Sequence, residues 1–374
     1  MMRGEIFSAF KQVPPALHAL LDARGRPYFC PAWIEAGQRF GVPPNNTLRL
    51  VCLGEGDDPA RHPMAFVAGY QSRDYPVHTG ARVLYLGQPN GMLFRLLLAE
   101  GIALSADILV ALMRTIAAAR PRIDIVRIGP LDPDSAVYEG LVRALRGAGF
   151  VVQPYYRDRN RFELVEGLTA QDYLAHRPSA LRNTLRRKGK KLWASDAARF
   201  ELITDRASIE RGIKDYHRVF AASWKRDTEA LAMEYTNSMM RIGADLGALR
   251  LGLIYVDDTP AAVQLWFVGC EEAICFRLAY DTHLQSLSAG SLLSQKMIER
   301  VIDVDKVARL DFGVGDEPFK ADWMTGLREY WGLVGFNTRS RRGLQEAALH
   351  IGGRKVKDVL ERLGFPVTRG EDAE

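Results

Sequence analysis

One loop of the sequence combines small residues with the start of a probable helix. The strand-like run at 276–280 is followed by a segment rich in serine, alanine and glycine, and helical spacing begins directly after it. Such a segment presents unpaired backbone N–H groups at the positive end of a helix dipole, where phosphate groups bind. The candidates for binding a phosphate-bearing cofactor are Gln285, Ser288, Ala289, Gly290 and Ser291. A helix capped by serine, with no ligand, is the alternative interpretation.

A second stretch places charged residues at the end of a probable strand. Asp311 lies in an apolar run, and two glycines, Glu317, Lys320 and Trp323 follow it. Polar residues at the end of a strand commonly line a site, so this stretch is a candidate for chemistry. The alternative is a tight turn held by the glycines, with Asp311 as an internal hydrogen-bond acceptor.

Positive charge is concentrated in one probable helix. Six cations lie within positions 182–191, namely Arg182, Arg186, Arg187, Lys188, Lys190 and Lys191. Three leucines make the opposite side of this helix apolar, a pattern that suits a solvated face, an anionic membrane surface or a phosphate-bearing acceptor. Arg182 and Arg186 are therefore candidate substrate-binding residues. A peripheral contact with anionic membrane is a further expectation.

The elements that must position these residues follow an order typical of mixed sheets with helices packed on them. In the first half we predict strands at Thr47–Leu53, Met64–Tyr70, Ile123–Ile128, Val151–Tyr156 and Phe162–Val165, and helices at Ser105–Ala119 and Ser135–Gly147. In the second half we predict strands at Ala248–Val256, Ala261–Val268, Ala273–Tyr280, Ala308–Gly313 and near Leu333–Thr338, and helices at Ser208–Arg226, Met233–Leu246 and Ser291–Val304. The order is similar in both halves, so we expect an α/β fold with a duplicated unit.

Four segments follow from this order. Residues 1–166 form the first unit, and residues 167–196 form a basic linker helix. Residues 197–345 form the second unit, and residues 346–374 form a C-terminal helix and tail.

Length and composition exclude several classes of protein. The chain has 374 residues, of which 47% are hydrophobic and 25% are charged, the balance of a folded protein rather than of a disordered chain or a fibre. The net charge of +5 favours anionic partners only mildly. Because the basic helix accounts for this excess of cations, we expect no nucleic-acid partner.

The cysteines and the apolar runs bear on metal binding and on location. The four cysteines have spacings that fit neither a zinc ribbon nor a thioredoxin-like pair, so we expect buried thiols and no metal. No uninterrupted apolar run of about 18 residues is present, and the first residues lack the order of a signal peptide. We therefore expect a cytoplasmic protein, with any membrane contact at the inner face.

The second half resembles the GNAT-type acyltransferase domain of the CelD/BcsL-like group, which is associated with polysaccharide biosynthesis loci. The resemblance lies in residues 182–192, 223–225, 277–281, 288–290 and 311–320, and it extends over about 170–340. A more distant resemblance is to the FemABX peptidyltransferases. Ser288 departs from the family pattern, which has a glycine there, so phosphate binding requires that this position does not need a positive φ.

The resemblance implies two tandem GNAT-like domains, each a mixed twisted sheet flanked by helices. Residues 1–166 would be a degenerate domain, because Pro89 removes a donor from the corresponding loop at 88–93. Residues 197–345 would bind acyl-CoA as co-substrate. The strands at Ala273–Tyr280 and Ala308–Gly313 would splay apart around the acyl-pantetheine.

The resemblance also implies roles for single residues. Acyl transfer to an amine requires the free base, and a carboxylate can take the proton. Asp311 is the first candidate for this base and Glu317 is the second. Lys320 would stabilise an oxyanion or a substrate phosphate, unless its stem only covers Trp323. Tyr280 would protonate the departing thiolate. The residues expected to contact substrate are Arg182, Arg186, Trp224, Arg277, Asp281 and Trp323.

Three functions remain open on the sequence. The first is an acyl-CoA-dependent N-acyltransferase whose acceptor is an amino sugar or a lipid amine, such as a sphingoid base, of the cell envelope. The second is a FemABX-like transfer of aminoacyl groups in peptidoglycan synthesis. The third is a non-catalytic double-GNAT module that binds a partner. The small-residue loop favours the first, and the absence of a heptad run for a coiled-coil arm disfavours the second.

Overall fold

The computed structural model describes most of the chain. The described residues are 2–24, 27–28, 30–41, 46–72, 79–87, 94–194, 196–225 and 230–362. The first-half loop at 88–93 and the last residues of the predicted tail lie outside these ranges.

Strands and helices alternate along both halves. The strands are β1 Met2–Phe7, β2 Thr47–Glu55, β3 Pro63–Ser72, β4 Val83–Leu86, β5 Leu97–Leu98, β6 Ile125–Leu131, β7 Phe150–Leu164, β8 Ala198–Ile203, β9 Leu249–Val256, β10 Thr259–Gly269, β11 Glu272–Tyr280, β12 Arg309–Val314 and β13 Gly326–Asn337. The helices are α1 Pro15–Arg24, α2 Pro31–Ala36, α3 Ala106–Ala118, α4 Ala136–Gly147, α5 Ala170–Ala175, α6 Ser179–Trp193, α7 Ile209–Ala221, α8 Ala230–Asp245, α9 Ala289–Asp303, α10 Pro318–Trp323 and α11 Arg341–Arg362. A 3₁₀ helix, Thr282–Leu287, precedes α9.

All the strands belong to one mixed sheet. Its order is β1-β2-β3-β4-β6-β13-β7-β12-β11-β10-β9-β8, and β5 pairs with β3 at the side. Helices pack on this sheet, so the predicted mixed α/β fold is confirmed. The parallel pairs are β4 with β6 and β11 with β12, one in each half.

The parallel pair of the second half separates soon after it begins. Strands β11 and β12 are in register only from Glu272 opposite Arg309 to Ile274 opposite Asp311. Strand β12 pairs with β7 on its other side from Arg309 onward, while β11 continues to Tyr280 beside β10. The predicted splayed pair is therefore confirmed, and the gap lies at the carboxyl ends of both strands.

The two halves share strands in the middle of the sheet. Strand β13, from the second half, pairs with β6 of the first half on one side and with β7 on the other. Strand β7, which ends the first half, lies between β13 and β12. The boundary at 166 stays a prediction, but the sheet crosses it without a break.

Burial on both faces explains the long apolar strands. In β10, Val263, Leu265 and Phe267 contribute to one core and the alternating Ala262 and Trp266 to another. Side chains on a strand alternate between faces, so a strand covered on both sides is apolar throughout. The first of these cores also contains the first-half segment from Phe7 to Leu21 and residues of α7 and α8, so it joins the halves.

The predicted linker is a pair of packed helices. Residues 167–196 contain α5 and α6, and both helices contact α9. Leu181, Leu185 and Leu192 of α6 are buried in the same core as Leu292 of α9. The apolar side of the basic helix is therefore part of the core of the second half, and the helix is not a free connection between units.

One prediction about the sheet is wrong. Val151–Tyr156 and Phe162–Val165 are not two strands, because the polar residues between them continue as part of β7. Arg159 and Arg161 of this segment both pair with Asp316, at 3.5 Å and 2.6 Å.

No helix within the described residues is both long enough and apolar enough to cross a membrane.

Candidate active site

A cavity of about 440 Å³ occupies the gap between β11 and β12. Residues Ile274–Leu278 line one wall and residues Asp311–Val314 line the other. Trp224 and Lys225 line it from the segment after α7, and Tyr330 lines it from β13. Arg95 contributes from the first half, so both halves build the cavity.

Asp311 is buried at this cavity with both carboxylate oxygens bonded. It is 4% exposed. Its Oδ1 accepts hydrogen bonds from Asn160 Nδ2 at 2.8 Å and from the Gly313 backbone N–H at 2.6 Å, and its Oδ2 pairs with the Arg328 guanidinium at 2.6 Å. Burial raises the pKa of Asp311, although the positive charge of Arg328 acts against this rise. The geometry fits an internal acceptor that fixes β12 against β7 and β13.

Lys320 and Glu317 form a pair at the edge of the cavity. Lys320 Nζ donates to the carbonyl oxygens of Val314 at 2.6 Å and Gly315 at 3.3 Å, and it lies 2.7 Å from Glu317 Oε2. Burial acts to raise the pKa of Glu317, but the hydrogen bond and charge of Lys320 outweigh it, so the pKa is lowered. Glu317 is therefore ionised at neutral pH and faces the cavity, while the donors of Lys320 are already engaged.

The predicted aromatic residues separate into two groups. Tyr280 and Trp224 stack with their ring centroids 4.5 Å apart, and Trp224 is 49% exposed at the cavity. Trp323 is 3% exposed within the core of the second half, where its carbonyl oxygen accepts a hydrogen bond from Arg177. Trp323 does not line the cavity, so its position fits core packing instead of the predicted acceptor contact.

Two further predicted substrate residues lie near the carboxyl end of β11. Arg277 lines the cavity. Asp281 caps the 3₁₀ helix, because its Oδ1 accepts a hydrogen bond from the His283 backbone N–H at 2.9 Å. Asp281 thus orients the start of the loop that leads to α9.

The amino end of α9 presents free backbone donors. The first intrahelical bond runs from the Leu292 N–H to the Ser288 carbonyl, at 3.1 Å. The amides of Ala289, Gly290 and Ser291 precede it, and the Ser288 side chain makes no capping bond. Gly290 packs against Tyr280, since a Cβ there would lie 3.1 Å from Cδ1 of that ring. The arrangement fits phosphate binding better than the predicted alternative, a serine-capped helix.

The basic helix α6 lies beside this loop. Lys188 Nζ donates to the Ser286 carbonyl oxygen at 2.6 Å. Arg182 and Arg186 are exposed, and Arg186 donates to Asn183 Oδ1 at 3.3 Å. One cation of α6 therefore reaches the loop, while the two predicted substrate residues remain on its solvent face.

Ser288 occupies a backbone conformation that favours glycine. Its φ is 56° and its ψ is 33°, in the left-handed region. Phosphate binding is expected to require that this position does not need a positive φ, and the position does take one. The backbone amides that follow Ser288 nevertheless have no capping partner. The left-handed conformation therefore lowers the free energy of unfolding but leaves these hydrogen-bond donors available.

Replacing Ser288 by glycine is expected to stabilise the fold. Relief of the left-handed strain outweighs the added freedom of the unfolded chain, so the free energy of unfolding should rise by about 0.5–1 kcal/mol. Urea denaturation measures this change. Ser286→Gly in the same loop, where φ is not positive, is the matched control and should destabilise slightly. A lower denaturation midpoint for Ser288→Gly would contradict the account.

Residues 179–321 match the family model described as an acetyltransferase (GNAT) domain. This match spans α6, the splayed strands and the loop before α9, and it supports an acyltransferase. No curated protein matches the chain by sequence. Among the described residues, no group of three His, Cys, Asp or Glu side chains is placed to hold a metal ion.

Solved structures show a similar overall fold. The crystal structure of FemX superposes with a TM-score of 0.58 and 10% identity, covering 89% of this chain and 97% of FemX. A conserved protein of unknown function from Bacteroides thetaiotaomicron superposes with a TM-score of 0.53 and 11% identity, covering 90% of this chain and 100% of the other. At these identities the likeness concerns the fold alone. The proposed CelD/BcsL relationship stays a prediction.

Sequence reasoning missed Arg95 and Tyr330, which complete the cavity from distant parts of the chain, and Arg328, which pairs with Asp311. Arg95 lies 2.8 Å from Glu272, and Tyr330 and Arg328 come from β13. Arg328 Nη2 also donates to the Tyr330 hydroxyl oxygen at 2.9 Å. Alternation of Arg328, Tyr330 and Gly332 along one strand face was the available signal. The strand was predicted to start near Leu333, so Arg328 and Tyr330 fell outside it.

Proposed function

We propose that the protein transfers an acyl group from acyl-CoA to an amine. The observation that supports this most directly is the splayed pair β11 and β12, together with the uncapped amides of α9, the helix that follows β11 in the chain. A thioester in the gap and a pyrophosphate on these amides would use both features at once. The match to an acetyltransferase (GNAT) domain covers the same residues.

The residues that would hold CoA follow from the free donors. The amides of Ala289, Gly290 and Ser291 would bind the pyrophosphate, and Lys188 lies beside the same loop. Gln285 and Ser288 shape the turn, since the Ser288 N–H donates to the Gln285 carbonyl at 3.0 Å. The acyl-CoA supplies the activated carbonyl, and the protein supplies orientation and charge.

Cations around the cavity favour a neutral acceptor amine. Lys225, Arg277 and Lys320 all line it. Nearby positive charge lowers the pKa of an amine, so the reactive free base is more populated there than in water. Glu317 is ionised and also lines the cavity, so it can take the proton from an acceptor amine that is still protonated. Asp311 then acts by fixing Arg328, and its predicted role as the base is not needed for this scheme.

Tyr330 is the better-placed proton donor for the departing thiolate. It lines the cavity, whereas Tyr280 stacks on Trp224 beside the phosphate loop. Its oxygen accepts from Arg328, which leaves its own hydrogen free to donate. Burial raises the pKa of Tyr330, so the hydroxyl stays protonated at neutral pH.

The acceptor class follows from the resemblance to the CelD/BcsL-like group. We propose an amine of an envelope precursor, either an amino sugar or a lipid amine. The protein would act on the cytoplasmic side. The exposed cations of α6 would contact an anionic phosphate or headgroup there, and sedimentation with anionic vesicles tests that contact.

Titration calorimetry with CoA and acyl-CoA tests the proposed function. We expect CoA to bind with a Kd in the micromolar range, worth about 8 kcal/mol, and thiol release beyond one equivalent per protein to require an added amine. Glucosamine and a long-chain amine are the first acceptors to compare. Absence of binding by CoA, acetyl-CoA and long-chain acyl-CoA alike would overturn the proposal and leave a non-catalytic module. Transfer from aminoacyl-tRNA without CoA would favour the FemABX-like alternative.

A further inference from the structure

Two lysines line the cavity, and their surroundings differ. Lys320 is 5% exposed, and its Nζ is engaged by two carbonyl oxygens and Glu317. Lys225 is exposed at the opening, and its Nζ makes no hydrogen bond or ion pair with any residue that the structure describes. Its Nζ lies 5.6 Å from the centroid of the Trp224 ring. Within the described part of the chain, the Lys225 amine therefore has no polar partner, whereas the Lys320 amine has three.

The charge state of Lys225 favours reaction. Although the side chain is exposed at the opening, the cavity walls partly shield it from water and so lower its pKa, and the nearby cations Arg277 and Lys320 act in the same direction, against the opposing effects of Cys275 and Glu317. A larger fraction of this side chain is therefore the neutral amine than for an ordinary lysine. The neutral form is the nucleophile.

The other nucleophile of the cavity is inactive. Cys275 is 5% exposed, and burial raises the pKa of its thiol to about 12. The thiolate, which is the reactive form, is therefore scarce at neutral pH. Acylation of the protein itself would fall on nitrogen and not on sulfur.

We propose that Lys225 accepts an acyl group from bound acyl-CoA when no acceptor amine is present. The Nζ–carbonyl bond forms, the carbonyl–sulfur bond of the thioester breaks, and the proton lost from nitrogen is balanced by protonation of the CoA thiolate. The products are an acyl-lysine amide and free CoA. This inference rests on the proposed function.

The modification would act as an internal brake. An acyl-lysine has no positive charge, and at Lys225 it would place the acyl group in the cavity that the next acyl-CoA must enter. A stable amide does not return the group to CoA. Enzyme that meets acyl-CoA without acceptor would therefore lose activity over repeated encounters.

Peptide mass spectrometry of the full chain tests the inference. The protein is incubated with acetyl-CoA and no amine, and acetylation is followed at Lys225, at Lys320 and at Lys214, an exposed lysine of α7 that does not line the cavity. We expect Lys225 to react at least about 10-fold faster than Lys214, because binding holds the thioester beside it. Excess CoA should suppress acetylation of Lys225 and leave that of Lys214 unchanged, and Lys320 should stay unmodified.

A variant separates the brake from simple loss of the enzyme. After preincubation with acetyl-CoA, the ratio of remaining to initial turnover should fall for the native protein and stay near unity for Lys225→Arg. Equal acetylation of Lys225 and Lys214, or acetylation that excess CoA does not suppress, overturns the inference. If CoA binds by calorimetry and Lys225 still reacts no faster than Lys214, only this inference fails. If CoA does not bind, the proposed function fails with it.

Discussion

Replacing Ser291 by aspartate is expected to stabilise the protein and to weaken CoA binding strongly. Ser291 is in the first turn of α9, which contains no acidic residue. A carboxylate there interacts favourably with the helix dipole and should raise the free energy of unfolding by about 0.3–1 kcal/mol. The same charge would repel a pyrophosphate at the amides, so the Kd for CoA should rise by roughly 100-fold or more, worth about 2.7 kcal/mol.

Two controls make the result specific. Asparagine has nearly the same shape as aspartate but no charge, so Ser291→Asn should retain most of the affinity for CoA. Ser105→Asp puts a carboxylate at the start of α3, in the first half, and should leave CoA binding unchanged. Calorimetry gives the Kd for CoA and urea denaturation gives the free energy of unfolding, both on the same samples. Unchanged CoA affinity in Ser291→Asp would remove the phosphate site from α9.

Replacing Asp311 by asparagine is expected to destabilise the fold strongly. The side chains of Asp311 and Arg328 are 6% and 12% exposed, so the substitution leaves a nearly buried guanidinium without its counter-charge. Breaking one partner of a buried pair costs about 3–5 kcal/mol. The urea midpoint should fall accordingly, and loss of turnover should follow loss of structure.

A double substitution distinguishes the structural role from catalysis. Removing both charges, in Asp311→Asn with Arg328→Met, should restore part of the stability lost in the single variant, because no buried cation remains unpaired. Glu317→Gln serves as the catalytic comparison, since the proposed scheme uses this carboxylate to take a proton. An Asp311→Asn protein with an unchanged midpoint and no turnover would instead identify Asp311 as the base that the sequence suggested.

Local patterns along the chain predicted the local parts of the fold. The two strands of the first hairpin, β2 and β3, and the start of α3 near Ser105 were predictable because strand alternation and helical spacing depend on nearby residues only. Ser105 Oγ does accept a hydrogen bond from the Ile108 N–H, at 3.3 Å. The splayed strands and the loop before α9 were also visible, since each is a continuous segment with its own pattern.

Long-range pairing decided the parts that were missed. The middle of β7 is an alternation of arginine with polar residues, which resembles a loop until Asp316 is known to lie beside Arg159 and Arg161. Strands β1 and β4 are short, so their patterns carry little signal. Arg328 became a site residue only because β13 lies next to β7, a pairing that no local pattern specifies.

The pairing of β7 with β13 also limits how the protein can move. Along its whole length β13 is hydrogen-bonded to β7, and it pairs with β6 on the other side. A hinge that opened the two halves would have to break this ladder, so opening between the halves is costly, and rearrangement of side chains and loops at the cavity is the less costly way to admit a substrate. Each half therefore supplies a strand that the other half needs. If the halves were separated, each would lack a central strand and would expose a strand edge that can pair with other molecules. A fragment limited to the acyltransferase match is therefore a poor substitute for the intact chain.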